Sequence, residues 1–157
     1  MATVLSHTEG EEVCEIVGDL TDAYVHTCQR VIRKMRWEPN CGNYGRLTVH
    51  DTVESRSKDF VKAFHLHCQS QPFLRDGAVI IESGTHQLVC NILSPKNAKI
   101  ELIGGEGRQF EVDGVNYDTP DKEHTEAGWG QIVITDQGDD THTEFLVELE
   151  IVKKENT

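Results

Sequence analysis

His65 and His67 stand two residues apart in "DFVKAFHLHCQ", residues 59–69. In an extended strand positions i and i+2 point the same way, so "HLH" offers two imidazoles on one face, a donor arrangement suited to zinc or manganese. Asp51, at the centre of "RLTVHDTVES", shares a face with Leu47, Val49 and Val53, where a carboxylate must find a partner if it is buried. These three residues are the candidate metal ligands, and a divalent cation is the only cofactor the sequence offers. Two outward-facing histidines on a half-exposed strand are also common in structural settings. A second cluster, "RVIRKMR" at 30–36, is basic within an acidic chain. Alternation places Arg30, Lys34 and Arg36 on one face and Arg33 on the other. Guanidinium groups pair well with carboxylates and sulfates, so Arg30, Lys34 and Arg36 are candidate contacts for an acidic sugar chain. Trp129 is a candidate aromatic platform beside them.

Covalent and acid–base catalysis find no comparable setting. No serine stands in a nucleophile-elbow context, and no cysteine follows a catalytic signature. The glycine-rich stretch "LIGGEGRQFEVDGVNY" (102–117) looks at first like a phosphate cradle. A cradle of that kind needs a helix amino terminus behind it. Here Gly104, Gly105 and Gly107 lead into "RQFEV", which reads as strand, so a strand–turn–strand unit is expected instead.

The elements that would position these side chains are almost all strands. "VCEIVG", the long run 24–37, "RLTVHDTVES", "AVIIES", "QLVCNIL", "KIELIG", "GQIVITD" and "TEFLVELEIV" are β-branched and punctuated by Gly, Asn, Asp or Pro. Only 13–37 invites a helix, and its Thr, Val and Cys content with Gly18 inside argues against one. The expected fold is all-β, an antiparallel β-sandwich of about ten strands over residues 13–152. Residues 1–12 are expected to be a flexible lead-in and 153–157 a flexible tail, with a further flexible stretch at 118–128. The expected core is Phe64, Leu66, Val89, Ile92, Ile100, Phe110, Ile132, Ile134, Phe145, Val147 and Leu149.

The chain has 157 residues, a single-domain length that buries roughly 70% of its unfolded surface. Its formal charge of -12 argues against nucleic acid, and no apolar run approaches membrane-spanning length. The amino terminus carries no basic n-region and no apolar h-region, so no signal peptide is expected there. Five widely spaced cysteines without a Cys-x-x-Cys read as reduced structural thiols.

The order of motifs carries more than any one of them. "GDLTDAY", "LTVHDTVES", "FHLHCQSQP", "LVCNILSPKNAKIELIGGEGRQFEVDGVNY", "EAGWGQIVI" and "FLVELEI" follow one another along residues 13–152. This run resembles the carboxyl-terminal β-sandwich of heparinase II/III-like polysaccharide lyases, and the block from "LVCNILSP" to "GVNY" is its most specific part. The resemblance implies an α/α toroid preceding the sandwich, β-elimination of uronic-acid polysaccharides by the whole enzyme, and a periplasmic or secreted parent. The toroid's catalytic residues and the family's His-x-His stretch have no counterpart before residue 13, so no catalytic residue carries over. Thr52 after Asp51, and Gln131 in "WGQ", depart from the family pattern. Three functions compete: the non-catalytic sandwich of such a lyase, reaching acidic polysaccharide through its parent enzyme; a free-standing carbohydrate-binding module; and a small metal-dependent β-fold enzyme.

Overall fold

A computed structural model describes residues 2–117 and 128–154. It is an antiparallel β-sandwich. The strands are β1 (Thr3–Glu9), β2 (Cys14–Asp19), β3 (Cys28–Glu38), β4 (Arg46–Ser55), β5 (Ala63–Cys68), β6 (Pro72–Arg75) and β7 (Ala78–Ser83). They continue with β8 (His86–Ser94), β9 (Lys99–Gly104), β10 (Glu111–Val112), β11 (Val115–Asn116), β12 (Gly130–Thr135) and β13 (His142–Lys153). One short 3-10 turn, Thr21–Tyr24, lies between β2 and β3, which settles 13–37 as strand, turn and strand. The larger layer has the order β1-β2-β3-β4-β13-β8-β7-β6, and the smaller is β5-β12-β9. No helix among the described residues is long and apolar enough to cross a membrane.

Period-two sequence turns into packing where both layers meet. Val49, Val79, Cys90, Phe145 and Val147 from the large sheet interlock with Phe64, Ile132 and Ile134 from the small one. Leu66, Ile92, Ile100 and Leu149 pack at the border of this cluster, as expected. Two expected core residues lie elsewhere. Phe110 is 38% exposed, because it precedes the tiny β10–β11 hairpin rather than sitting in a sheet between the layers. In β8 the fully buried residue is Cys90, and alternation then turns its neighbour Val89 to the other face.

The amino-terminal segment also differs from expectation. Residues 3–9 are not a loose lead-in: they form β1, hydrogen-bonded along β2 from Thr3↔Asp19 to Glu9↔Cys14 with a bulge between Val4 and Ser6. Every residue of β1 is exposed, so neither face leaves an apolar period in the sequence. At the other end β13 runs through Lys153, past the expected start of the tail. The flexible stretch expected at 118–128 lies almost wholly outside the described residues.

The turns obey residue chemistry. Asp76 and Gly77 join β6 to β7 with positive φ at both positions, and Asp113 and Gly114 do the same between β10 and β11. This is the two-residue hairpin turn that Asp-Gly favours. The glycine-rich loop is therefore a strand–turn–strand unit. Its Gly104 has a packing duty as well, since a Cβ there would collide with the Trp129 carbonyl and indole.

All five cysteines are free thiols, and burial pushes the Cys90 thiol up to about 12. Thiol labelling of the native protein should leave Cys28 and Cys90, both buried, unmodified until denaturant is added. Rapid native labelling of Cys90 would mean that the sandwich opens far more readily than its packing implies.

Candidate functional site

Beside β5 the two layers part and leave a cleft of about 370 Å³. Its floor comes from the inner face of β3 and β4, its roof from β5, and its far wall from Leu20 and Tyr24 around the 3-10 turn. Apolar side chains (Val31, Val53, Phe60, Phe64) dominate the lining, and one ion pair crosses the floor. The register sets Arg33 opposite Asp51. Arg33 Nε donates to Asp51 Oδ1 at 2.8 Å and Nη2 to Oδ2 at 2.5 Å, a bidentate fork. The guanidinium carbon also lies 5.5 Å from the centre of the Phe64 ring. Hydrogen bonding to Asp51 raises the Arg33 pKa above its ordinary value, against the opposing effect of burial. Asp51 was expected to need a partner if buried, and Arg33 is that partner.

At the cleft's end Lys62 is buried beside Asp136. Lys62 Nζ donates to the Asp140 carbonyl at 2.6 Å, and Thr143 Oγ1 donates to Asp136 Oδ2 at 2.5 Å. Neither Lys62 nor Asp136 stood out in the sequence. The signal was an isolated lysine between apolar residues in "FVKAF", which alternation alone could place facing solvent or facing the core.

The expected metal ligands are not brought together. Asp51 faces inward from the large sheet and is held by Arg33. His65 and His67 lie on the opposite face of β5 from the buried Phe64 and are exposed. His65 Nδ1 donates to Gln131 Oε1 at 2.9 Å, and Gln131 Nε2 donates to the Glu111 carbonyl at 2.6 Å. Gln131 is thus a buried link tying β5 to the glycine-rich hairpin. Among the described residues no group of three His, Cys, Asp or Glu side chains is placed to hold a metal ion.

The basic strip is built as alternation predicts, and it is already occupied. Lys34 Nζ lies 2.9 Å from Glu15, Arg36 reaches Glu15 and Glu38, and Arg30 approaches Glu54 at 4.0 Å. Arg46 extends the ladder by joining Glu38 to Glu148 and Glu150. The hydrogen bond from Arg36 lowers the Glu38 pKa, as its carboxylate is favoured there. Trp129 does not join this strip. It precedes β12 in the small layer and packs over Gly104, whereas the strip lies on the face of the large sheet turned away from that layer. Trp37 likewise rests against Gly45.

This arrangement predicts weak binding of polyanions. Each exposed pair is worth little to stability, but every acid in the ladder cancels a cation that a sulfate would need. At physiological salt, charges are screened beyond about 8 Å, so only the local balance matters. Heparin-column retention at that salt should be negligible, and Arg30→Ala or Arg36→Ala should not change it. Firm retention lost in either variant would show that the strip opens to ligand.

A scan against protein-family models finds no match to this chain, and a search of the curated proteins finds none either.

Proposed function

We propose that this chain is a non-catalytic β-sandwich of the heparinase II/III-like lyase type, whose work is to support a catalytic α/α toroid and wall one side of its acidic-polysaccharide cleft. The observation that carries this reading is the overhang of the large sheet. The small layer has three strands against eight, and its core contacts fall on β4, β13, β8 and β7. Beyond the cleft, the inner face of β1, β2 and the Met35–Trp37 end of β3 is left half-exposed. Met35 pairs with Ile16, Trp37 with Cys14, and Val4 with Gly18, which brings Val4, Ile16, Met35 and Trp37 into one half-exposed apolar surface. A surface of that kind marks an interaction site, and a rigid domain face is a natural cover for it. The resemblance in the order of sequence motifs along residues 13–152 is what supports that choice of family.

The chain by itself performs no elimination in this reading. Removing the proton next to a uronate carboxylate needs a base, an acid at the leaving oxygen and charge stabilisation at the carboxylate. The cleft offers instead an Arg–Asp pair closed on itself. The test is to mix the chain with the isolated toroid of a heparinase II/III-like lyase and follow association by sedimentation. Binding that Ile16→Lys or Met35→Glu abolishes is expected, while the chain alone gives no unsaturated product from heparan sulfate, alginate or hyaluronan. Purification-independent product from the chain alone, lost in a His67 or Tyr24 variant, would overturn the reading.

A further inference from the structure

We propose that β5 is an acceptor edge: an extended, acidic segment of a partner polypeptide adds to it as a fourth strand of the small sheet and fills the cleft. The inference goes beyond the docking reading, because it concerns a different edge and needs no toroid.

The first support is the hydrogen-bond phase of β5. This strand ends the small sheet, with β12 on one side only. Asp136 N donates to the Lys62 carbonyl at 3.0 Å, and the register continues Ala63↔Thr135, Phe64↔Ile134, His65↔Val133. In an antiparallel ladder bonded and non-bonded pairs alternate. Lys62, Phe64 and Leu66 therefore turn their backbone groups to β12, whereas Ala63, His65 and His67 turn theirs to the open side. Those three residues also line the cleft, although the two imidazoles belong to the outer face. What they present to the cleft is unpaired backbone, which is the feature a partner strand recognises.

The second support is fit. Strands in a sheet sit about 4.8 Å apart, so a strand beside β5 would lie over β3, which contributes no residue to the core cluster between the layers. Its inward side chains would meet Leu20, Val31 and Phe64, an apolar wall suited to valine-sized groups. Both edges of the large sheet are defended. The bulge between Val4 and Ser6 breaks the β1 edge, and β6 is four residues long and begins with Pro72.

Charge selects the partner. The segment entering β5 carries Arg56 and Lys58 against Asp59, and among the described residues neither cation has an ion-pair partner. Arg56 Nε donates to the Val25 carbonyl, which holds it at the Tyr24 side of the cleft. On the floor Arg33 spends Nε and Nη2 on Asp51, while Nη1 makes no hydrogen bond to a described residue. In a chain of net charge -12 Arg56 and Lys58 stand out for having no ion-pair partner among the described residues, so an extended segment with carboxylates between its apolar residues is the complementary ligand.

The probe is a capped ten-residue peptide alternating valine with glutamate and threonine, titrated into the isotope-labelled protein and followed by amide resonances. The backbone amides of Ala63, His65 and His67 should shift most and gain protection from exchange. Methylating the peptide nitrogens that face β5 should weaken binding about tenfold or more, whereas methylating those on the other edge should change it less than about threefold. Lysine in place of glutamate should also weaken it about tenfold. The proposal fails if the peptide does not bind at about millimolar concentration, or if binding ignores nitrogen methylation. It fails equally if the shifts fall on β1 or β9 rather than β5. Loss of toroid binding by Ile16→Lys with this peptide response intact separates the two readings.

Discussion

Phe145→Ala is expected to destabilise the protein by about 3–5 kcal/mol, the range for truncating a fully buried aromatic ring. Phe145 is 1% exposed and lies in β13, which pairs with β4 on one side and β8 on the other. Its ring centre sits 6.3 Å from that of Phe64, across the interface between the two layers. Two neighbouring strands on one side and a packed layer above leave the site little freedom to collapse, so most of the cavity should persist. The control is Phe110→Ala, where a ring 38% exposed beside a two-residue strand should lose less than about 1 kcal/mol. Denaturant titration measures both, and an unchanged m-value would assign the shift to stability alone. A loss below about 1 kcal/mol for Phe145→Ala would mean that β13 has its faces reversed.

That contrast shows which parts of the fold alternation could reach. In β13 one face meets the other layer, so period two carried the phase directly: Phe145 and Val147 are buried as expected, and Ile132 and Ile134 of β12, a strand buried on both faces, are buried too. The run "QLVCNIL" has apolar residues at consecutive positions, and either phase reads as a core strand; only packing selects Cys90 over Val89. "QFEV" reads as strand, yet nothing local tells whether a strand belongs to a layer or to a hairpin lying on one. β1 left no signal because an edge strand exposed on both faces has no reason to alternate.

The site was legible in its parts and not in its assembly. Alternation separated Arg33 from Arg30, Lys34 and Arg36, and the structure keeps that division. It could not show that Glu15, Glu38 and Glu54 would meet the outward three, since those contacts depend on the registers of β2 against β3 and of β3 against β4. It read His65 and His67 on one face, correctly, but assigned Asp51 to the same site. Asp51 and the histidines share sequence proximity to strand centres, whereas their strands lie in different layers. The cleft itself follows from eight strands facing three, a property of the whole sheet order that no single segment records.

The Arg33–Asp51 pair gives the second large effect. Arg33→Leu should cost about 2–4 kcal/mol, because it strands a carboxylate that is only 6% exposed among apolar neighbours. The figure is set below that for a fully buried pair, since the Arg33 side chain remains 39% exposed and water screens part of the loss. Lost stacking on Phe64 adds a smaller share. Removing both charges, as Arg33→Leu with Asp51→Leu, should recover most of the loss, since two apolar side chains satisfy each other where one unpaired carboxylate cannot. The double-mutant cycle therefore separates two roles. Recovery in the double variant identifies the pair as a packing solution for the floor of the cleft. A double variant no more stable than Arg33→Leu alone would show that the loss comes from packing around Arg33 rather than from the stranded charge.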